Sequence, residues 1–331
     1  MKPFVAVTVG DFNGIGPEVA LKAVAHPAIR RICTPVLVGP LNVFEHVRTA
    51  LKLKIRLEKS SLSVFKSSCI PVVDVGDGIW ADVQYGKVSK AAGKSAGAAI
   101  ERAVELCVRG KAHAMVTAPS SKEALNLAGF NFPGQTEMVA MLSRSQRFAM
   151  MLVSKTMRVG LVTIHIPVRS VSEQLSVAKI REKLAIVNDS LRRDFGIKKP
   201  SIAVLALNPH AGEKGLMGTE DDEIVTPAVQ QAKADGLAVD GPFPADAFFG
   251  KQLHKRYGAV LAMYHDQGLI PLKMTAFEEG VNFSAGLNII RTSPDHGTAF
   301  DIAGKNKAGI TSMLEAIKLA VSFANNRHKH D

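Results

Sequence analysis

Tryptophan occurs once in this chain and tyrosine three times, so few rings are available on which nucleobases could stack. Acidic residues are outnumbered: 41 Lys and Arg stand against 30 Asp and Glu, a formal charge of +11. The excess is dispersed, however. Residues 52–56, 192–193, 198–199 and 327–329 form short basic clusters, and no long basic tract exists. Together these scarcities argue against a nucleic-acid partner and leave attraction of a small phosphorylated or carboxylated substrate as the use of the charge. Long apolar runs are missing too. The longest, such as 259–263 and 201–207, fall far short of the roughly 20 residues a spanning helix needs, and no membrane partner is expected. The first residues run through one lysine and a short apolar stretch straight into a glycine turn, unlike a signal core of roughly 7–15 apolar residues, so the expected location is cytoplasmic. Cysteine is scarce: Cys33, Cys69 and Cys107 are odd in number, widely spaced and without a C-x-x-C pair. That excludes a disulfide framework and a cysteine zinc site, and leaves buried reduced thiols.

What is plentiful is the material of an α/β protein. The chain has 331 residues, of which 47% are hydrophobic, a length that favours two domains or one large one. Short runs rich in Val, Ile and Leu predict strands over 5–9, 35–38, 114–116, 148–153, 159–163, 201–207, 258–263 and 281–284. Helical patterns predict helices over 17–25, 41–51, 92–109, 122–127, 136–142, 171–195, 223–234, 245–257 and 309–325. The alternation implies mostly parallel sheets with helices on their faces. Residues 53–91 are polar and irregular and read as an excursion at one edge.

The first turn, Gly10-Asp11-Phe12-Asn13-Gly14-Ile15-Gly16-Pro17-Glu18-Val19, joins an apolar strand to a helix. Gly14 and Gly16 permit tight backbone, Pro17 suits a first helical position, and the turn fits either a helix start whose N–H groups face an anion or simply a tight turn with a capped helix. It is not a dinucleotide fingerprint, because Val19 stands where the last glycine of G-x-G-x-x-G belongs, and no phosphate-loop Gly-Lys-Ser/Thr is present.

Ten histidines divide by context. His26, His46, His113, His254, His328 and His330 lie in polar or helical surroundings and read as surface residues. His165, His210 and His265 each follow a predicted strand, and His296 lies in the loop Ser293-Pro294-Asp295-His296-Gly297. Ligands of open α/β sheets collect at the carboxyl ends of strands, so three histidines ending three strands can converge as ligands of a catalytic divalent ion with an open position. Taken singly, each also fits a structural histidine. Lys273, Asn282 and Arg291 are candidates for oxyanion recognition, Arg as a planar fork and Lys as a point charge. Asp246 and Asp266 are candidate acid/base groups or carboxylates that orient a metal-binding imidazole.

With these residues laid out, the chain resembles the 4-hydroxythreonine-4-phosphate dehydrogenase family of pyridoxal phosphate biosynthesis over nearly its whole length. The carriers are the 10–18 turn, Val-Thr-Ala-Pro at 116–119, Gly134-Gln135-Thr136-Glu137, Leu-Asn-Pro-His-Ala-Gly-Glu at 207–213, Gly-Pro-Phe-Pro-Ala-Asp at 241–246, Ala-Met-Tyr-His-Asp-Gln-Gly at 262–268 and Arg-Thr-Ser-Pro-Asp-His-Gly-Thr-Ala at 291–299. The 10–18 turn and the 296–305 segment also resemble the isocitrate and isopropylmalate dehydrogenases. The resemblance implies two α/β/α domains with mostly parallel sheets and an active site in the interdomain cleft. It assigns 1–130 plus 275–331 to a terminal domain carrying the cofactor loop, and 131–274 to a central domain with metal ligands and dimer contacts.

It further implies that His165, His210 and His265 bind Zn²⁺, Mg²⁺ or Co²⁺ at a site shared between the subunits of a homodimer. Gln135, Thr136, Lys273, Asn282 and Arg291 would contact substrate, with Asp246 or Lys273 as the catalytic proton acceptor unless metal-bound hydroxide serves. His296, Gly297, Asp301 and Gly304 would hold NAD or NADP. The implied reaction oxidises 4-phosphooxy-L-threonine to a 3-oxo acid that loses carbon dioxide, giving 3-amino-2-oxopropyl phosphate. One departure stands out: the family's Gly-His-Thr-Glu reads Gly-Gln-Thr-Glu here, and Gln135 cannot carry a positive charge. An alternative is therefore a paralogous dehydrogenase for another phosphorylated sugar acid, such as threonate or erythronate 4-phosphate, or for a carboxylated cyclic diol. A metal-dependent hydrolase using the same three histidines is a further reading, which the 296–305 segment does not favour.

Overall fold

The computed structural model describes residues 2–60, 68–76 and 82–329. The chain forms two compact units, Met1–Gln146 with Leu287–Asn325 and Arg147–Gly286 with Asn326–Asp331. It passes from one to the other at 146/147, 286/287 and 325/326.

The first unit begins β1 (Phe4–Thr8), α1 (Gly16–Ala25), α2 (Pro27–Ile32), β2 (Thr34–Val38), α3 (Leu41–Ala50), β3 (Leu57–Lys59) and β4 (Ile70–Val73). It continues α4 (Lys90–Val108), β5 (Ala114–Val116), α5 (Lys122–Leu127) and α6 (Gln135–Leu142). The second unit holds β6 (Ala149–Val153), β7 (Arg158–Leu161), α7 (Val171–Gln174), α8 (Val177–Arg193), β8 (Ile202–Leu205), α9 (Thr226–Ala234), β9 (Val239–Phe243), α10 (Ala245–Gly250), β10 (Ala259–Ala262), α11 (His265–Ala276) and β11 (Val281–Ala285). The chain then returns to the first unit for β12 (Arg291–Pro294) and α12 (Thr311–Arg327).

In the first unit the strand order is β3-β4-β2-β1-β5-β12, with every pair parallel. In the second it is β11-β6-β7-β10-β8-β9, antiparallel through β6 and parallel from β7 onward. Strands such as β2 and β8 are apolar at nearly every position and buried, because helices cover both faces of a parallel sheet; antiparallel β6 is apolar and buried throughout as well. The second unit's core gathers Leu161, Leu205, Phe248, Val260 and Leu272 from β7, β8, α10, β10 and α11.

Local chemistry sets the helix boundaries. The predicted helix 171–195 is broken: Ser176 takes an extended conformation and its hydroxyl accepts from Lys179 N–H at 3.2 Å, starting α8 afresh. Helix α11 is absent from the predicted helices; Gly268 and Pro271, both inside it, carry local preferences against a helix. In the structure Pro271 sits inside α11, and Gly268 lets the helix lie close on β7, since a Cβ there would stand 2.5 Å from Val159 Cγ1. Alanine normally favours a helix over glycine by about 1 kcal/mol, but overpacking costs roughly 1–3 kcal/mol, a net loss of up to about 2 kcal/mol, so Gly268→Ala is expected to lower Tm by up to about 3 °C. A raised Tm in a thermal melt would contradict that close approach.

Candidate functional site

In the second unit, β7, β10 and β8 are neighbouring parallel strands, and each is followed by one of the three singled-out histidines. Pairing continues past the ends of β7 and β10: Val162 N–H donates to Ala262 O, and Thr163 donates to Met263 O through its N–H at 3.1 Å and its hydroxyl at 2.7 Å. Two residues beyond each of these, His165 and His265 meet, their ring centroids 5.7 Å apart and tilted by 47°. His265 is the first residue of α11, and its Nδ1 lies 2.7 Å from Asp266 Oδ1. A carboxylate at Nδ1 fixes the ring and leaves Nε2 for a cation.

Sequence reading missed Gln267, which ties the same strand ends together. Its Oε1 accepts from Met263 N–H at 2.8 Å, and its Nε2 donates to Ala206 O at 2.6 Å, beyond β8. Its place two residues after His265 was the available signal.

His210 is exposed, on the loop after β8. Its φ is +52°, and Ala211, Gly212, Glu213 and Lys214 are also in the left-handed region. Such conformations cost non-glycine residues roughly 1–2 kcal/mol each and persist where surrounding contacts over-determine them. Here Asp221, buried, accepts from Leu207 N–H at 2.7 Å and from Asn208 N–H at 2.9 Å. The structure thus brings His165 and His265 together, but no three His, Cys, Asp or Glu side chains among the described residues gather around one metal position. Two adjacent imidazoles, one already oriented by a carboxylate, nonetheless suit a divalent ion such as Zn²⁺.

The second unit's other candidates are spread along its elements. Lys273 lies on α11 with Nζ 6.0 Å from the Phe277 ring centroid. Asn282 lies on β11, and its Oδ1 is buried without a hydrogen-bond partner among the described residues. Asp246 is exposed in the first turn of α10. Along α11, Ile270, Met274 and the following Phe277 form an exposed apolar stripe, 58%, 82% and 76% accessible. Leu216, beyond His210, is 82% accessible.

In the first unit, three candidates meet. Arg291 opens β12 in register with Met115 of β5, and its guanidinium is buried. Its Nε and Nη2 donate to Thr117 Oγ1 at 3.1 and 2.6 Å, Nη1 to Thr136 Oγ1 at 3.2 Å, and Nη2 to Gln135 Oε1 at 2.9 Å. Burial pushes its pKa down to about 10, with the charge on Glu137 acting the other way. Gln135 Nε2 donates to Ser120 Oγ at 2.5 Å. The amide at 135 therefore serves as acceptor to Arg291 and donor to Ser120, a dual role a neutral imidazole can also play and an imidazolium cannot.

The opening turn is packed inside the first unit. Residues 10–19 are buried, and Asn13 N–H donates to Asp11 Oδ1, Gly14 N–H to Asp11 O and Ile15 N–H to Thr298 O. These three donors, all ahead of α1, are consumed inside the protein. Thr298 lies in the segment that holds His296, Gly297, Asp301 and Gly304. There Gly297 and Asp301 are exposed, His296 Nδ1 lies 3.3 Å from Gly297 O, and the Tyr85 ring packs against Gly304.

Of the histidines read as surface residues, His26 accepts from Ala28 N–H to cap α2 and His113 accepts from Phe4 N–H; His330 lies outside the described residues. Cys33 and Cys69 are buried, and all three cysteines are free. No helix among the described residues is long and apolar enough to cross a membrane.

A model of the family described as pyridoxal phosphate biosynthetic protein PdxA matches residues 31–320. A 4-hydroxythreonine-4-phosphate dehydrogenase from Trichlorobacter lovleyi is 42% identical over 98% of this chain and 99% of its own. A D-threonate 4-phosphate dehydrogenase from Salmonella typhimurium is 42% identical over 97% of this chain and 98% of its own. A crystal structure of 4-hydroxythreonine-4-phosphate dehydrogenase from Klebsiella pneumoniae superimposes with a TM-score of 0.87 at 39% identity, covering 98% of each chain. The chain belongs to the PdxA family of pyridoxal phosphate biosynthetic proteins and is an oxidoreductase.

Proposed function

We propose that the protein is a metal-dependent NAD(P) dehydrogenase that oxidises 4-phosphooxy-L-threonine to a 3-oxo acid, which decarboxylates to 3-amino-2-oxopropyl phosphate. The observation that carries this reading is the meeting of Arg291, Thr136 and Gln135, far apart in sequence, within hydrogen-bond reach. The guanidinium fork of Arg291 spends four of its five N–H groups on Thr117, Thr136 and Gln135, so it offers a phosphate or carboxylate its charge and at most one N–H of Nη1, a charge-assisted contact about twice as strong as a neutral one. Thr117, Thr136 and Gln135 hold that fork in one orientation before the substrate arrives. Asn282 Oδ1, buried and unpartnered, is an acceptor for a substrate N–H or O–H, and Lys273 is a point charge for a second anionic group.

His165, His265 and His210 would hold the divalent ion, and His296, Gly297, Asp301 and Gly304 the dinucleotide. When bound, these groups would supply polarisation of the substrate hydroxyl, stabilisation of the oxyanion and enolate, and the hydride acceptor. Asp266 keeps His265 oriented throughout. Asp246 and Lys273 are the side chains available to accept the hydroxyl proton, and the pH profiles of Asp246→Asn and Lys273→Met would separate them. A second copy of the chain would cover the stripe on α11 and bring His210 of one subunit to the histidine pair of the other. Large exposed apolar patches of this kind mark association surfaces.

A second reading, D-threonate 4-phosphate as substrate, rests on the relative of that name, whose 42% identity equals that of the Trichlorobacter relative. The deciding assay supplies divalent metal and NAD⁺ or NADP⁺ with each substrate and follows absorbance of the reduced cofactor. Turnover of 4-phosphooxy-L-threonine, with release of 3-amino-2-oxopropyl phosphate, is expected. Turnover of threonate 4-phosphate alone would reassign the substrate, and phosphate release without a nicotinamide would replace the dehydrogenase with a hydrolase.

A further inference from the structure

Residues 298–308 connect β12 to α12 without strand or helix of their own. Ala299 and Asn306 have φ of +41° and +58°, and Gly304 has +73°. A segment bent in this way is held by its anchors, and those anchors come from the opening turn and α1. Ile15 N–H donates to Thr298 O at 2.9 Å. Gly14 allows the approach, since a Cβ there would stand 2.7 Å from Thr298 O.

Further along, Glu18, buried on α1, accepts from Ala308 N–H at 3.0 Å with the same Oε1 that lies 2.6 Å from Lys22 Nζ. Lys22 Nζ also reaches Ala308 O at 3.4 Å and Asn306 O at 3.5 Å. Glu18, Pro17 and Gly14 share with Tyr85, Gly304 and Asn306 the lining of a cavity of about 30 Å³, room for about one water. A buried carboxylate is costly unless paired and hydrogen-bonded. This one is both, and what it binds is the backbone at the far end of the segment.

We propose that Glu18, with Lys22, is a positioning residue for the dinucleotide: it clamps the 306–308 backbone so that the 296–305 face is preformed. The inference rests on the reading that 296–305 holds the cofactor. Preorganisation of this kind lowers the ordering cost of binding and acts on affinity. Loss of the clamp therefore raises KM for NAD⁺ and spares the chemical step. Glu18→Ala loses both contacts, whereas Glu18→Gln keeps an oxygen facing Ala308 N–H. Lys22→Met leaves Glu18 in place and removes the donor to the two carbonyls.

The test is hydrogen exchange on the full chain with and without NAD⁺, alongside steady-state kinetics, with Tm confirming that each variant is folded. Expected in wild type is protection of 296–308 by NAD⁺. In Glu18→Ala, exchange of 299–308 without NAD⁺ speeds up and KM for NAD⁺ rises about tenfold, while kcat and KM for the phosphorylated substrate change less than about twofold. Glu18→Gln and Lys22→Met are expected to fall between. Protection in wild type with unchanged exchange and KM in all three variants would overturn the role of Glu18 alone. Absence of protection in wild type would overturn the cofactor reading, and this inference with it.

Discussion

Arg291→Ala is expected to lower kcat/KM by about 30-fold to a few thousandfold, the kinetic equivalent of the roughly 2–5 kcal/mol lost when one partner of a buried charge-assisted contact is removed. Arg291→Lys is the more telling substitution. It keeps the positive charge, but one ammonium cannot reproduce a fork that meets Thr117, Thr136 and Gln135 from three nitrogens. Its loss is expected at about 30-fold or more, expressed mainly as a raised substrate KM, with KM for the dinucleotide little changed. A lysine variant that retained a third of wild-type kcat/KM would mean that charge alone matters at this position, and the preoriented fork would have to be given up. Gln135→Leu complements this test. It removes the acceptor that faces Arg291 Nη2 and the donor that faces Ser120 Oγ, so it should reproduce part of the arginine effect without touching the charge.

How far such residues were visible beforehand depends on the physical signal each carries. Strands β5 and β8 were legible because parallel strands buried on both faces must be apolar throughout, and antiparallel β6 because an unbroken apolar run such as Ala149–Val153 has few other uses. Strand β12 was not: Arg291-Thr292-Ser293-Pro294 is polar, and it is a buried strand because its side chains find partners, Thr292 Oγ1 donating to Ala316 O and Arg291 to Thr117. Helix α11 was hidden by Gly268 and Pro271, whose local preferences are overridden once the helix packs on β7. The 10–18 turn was legible as a turn before a helix. Its purpose was not, because Ile15 N–H finds its partner almost 300 residues away at Thr298 O. The histidines were legible from their positions after strands. That β7 and β10 are adjacent, and so bring His165 and His265 together, is set by strand order, which no local pattern encodes.

Strand order also frames the largest effect expected of the histidines. Each of His165→Ala, His210→Ala and His265→Ala should remove most bound metal and nearly all turnover while leaving the fold intact, since a catalytic ion with two remaining ligands is held far more weakly. Alone, these losses do not say which subunit supplies His210. Mixing does. If His210 of one subunit completes the histidine pair of the other, a dimer of one His210→Ala chain and one His265→Ala chain carries both lesions in one site and neither in the second. Random reassortment makes half of the dimers mixed, so a mixture of two inactive proteins should recover about one quarter of wild-type activity per subunit. If all three histidines serve from a single chain, each site in every dimer carries one lesion and the mixture stays inactive. Equal metal content in the two starting variants and the mixture would point the same way. Recovery close to one quarter, in both turnover and bound metal, is the outcome expected from an exposed, left-handed His210 loop and an uncovered apolar stripe on the helix that begins with His265.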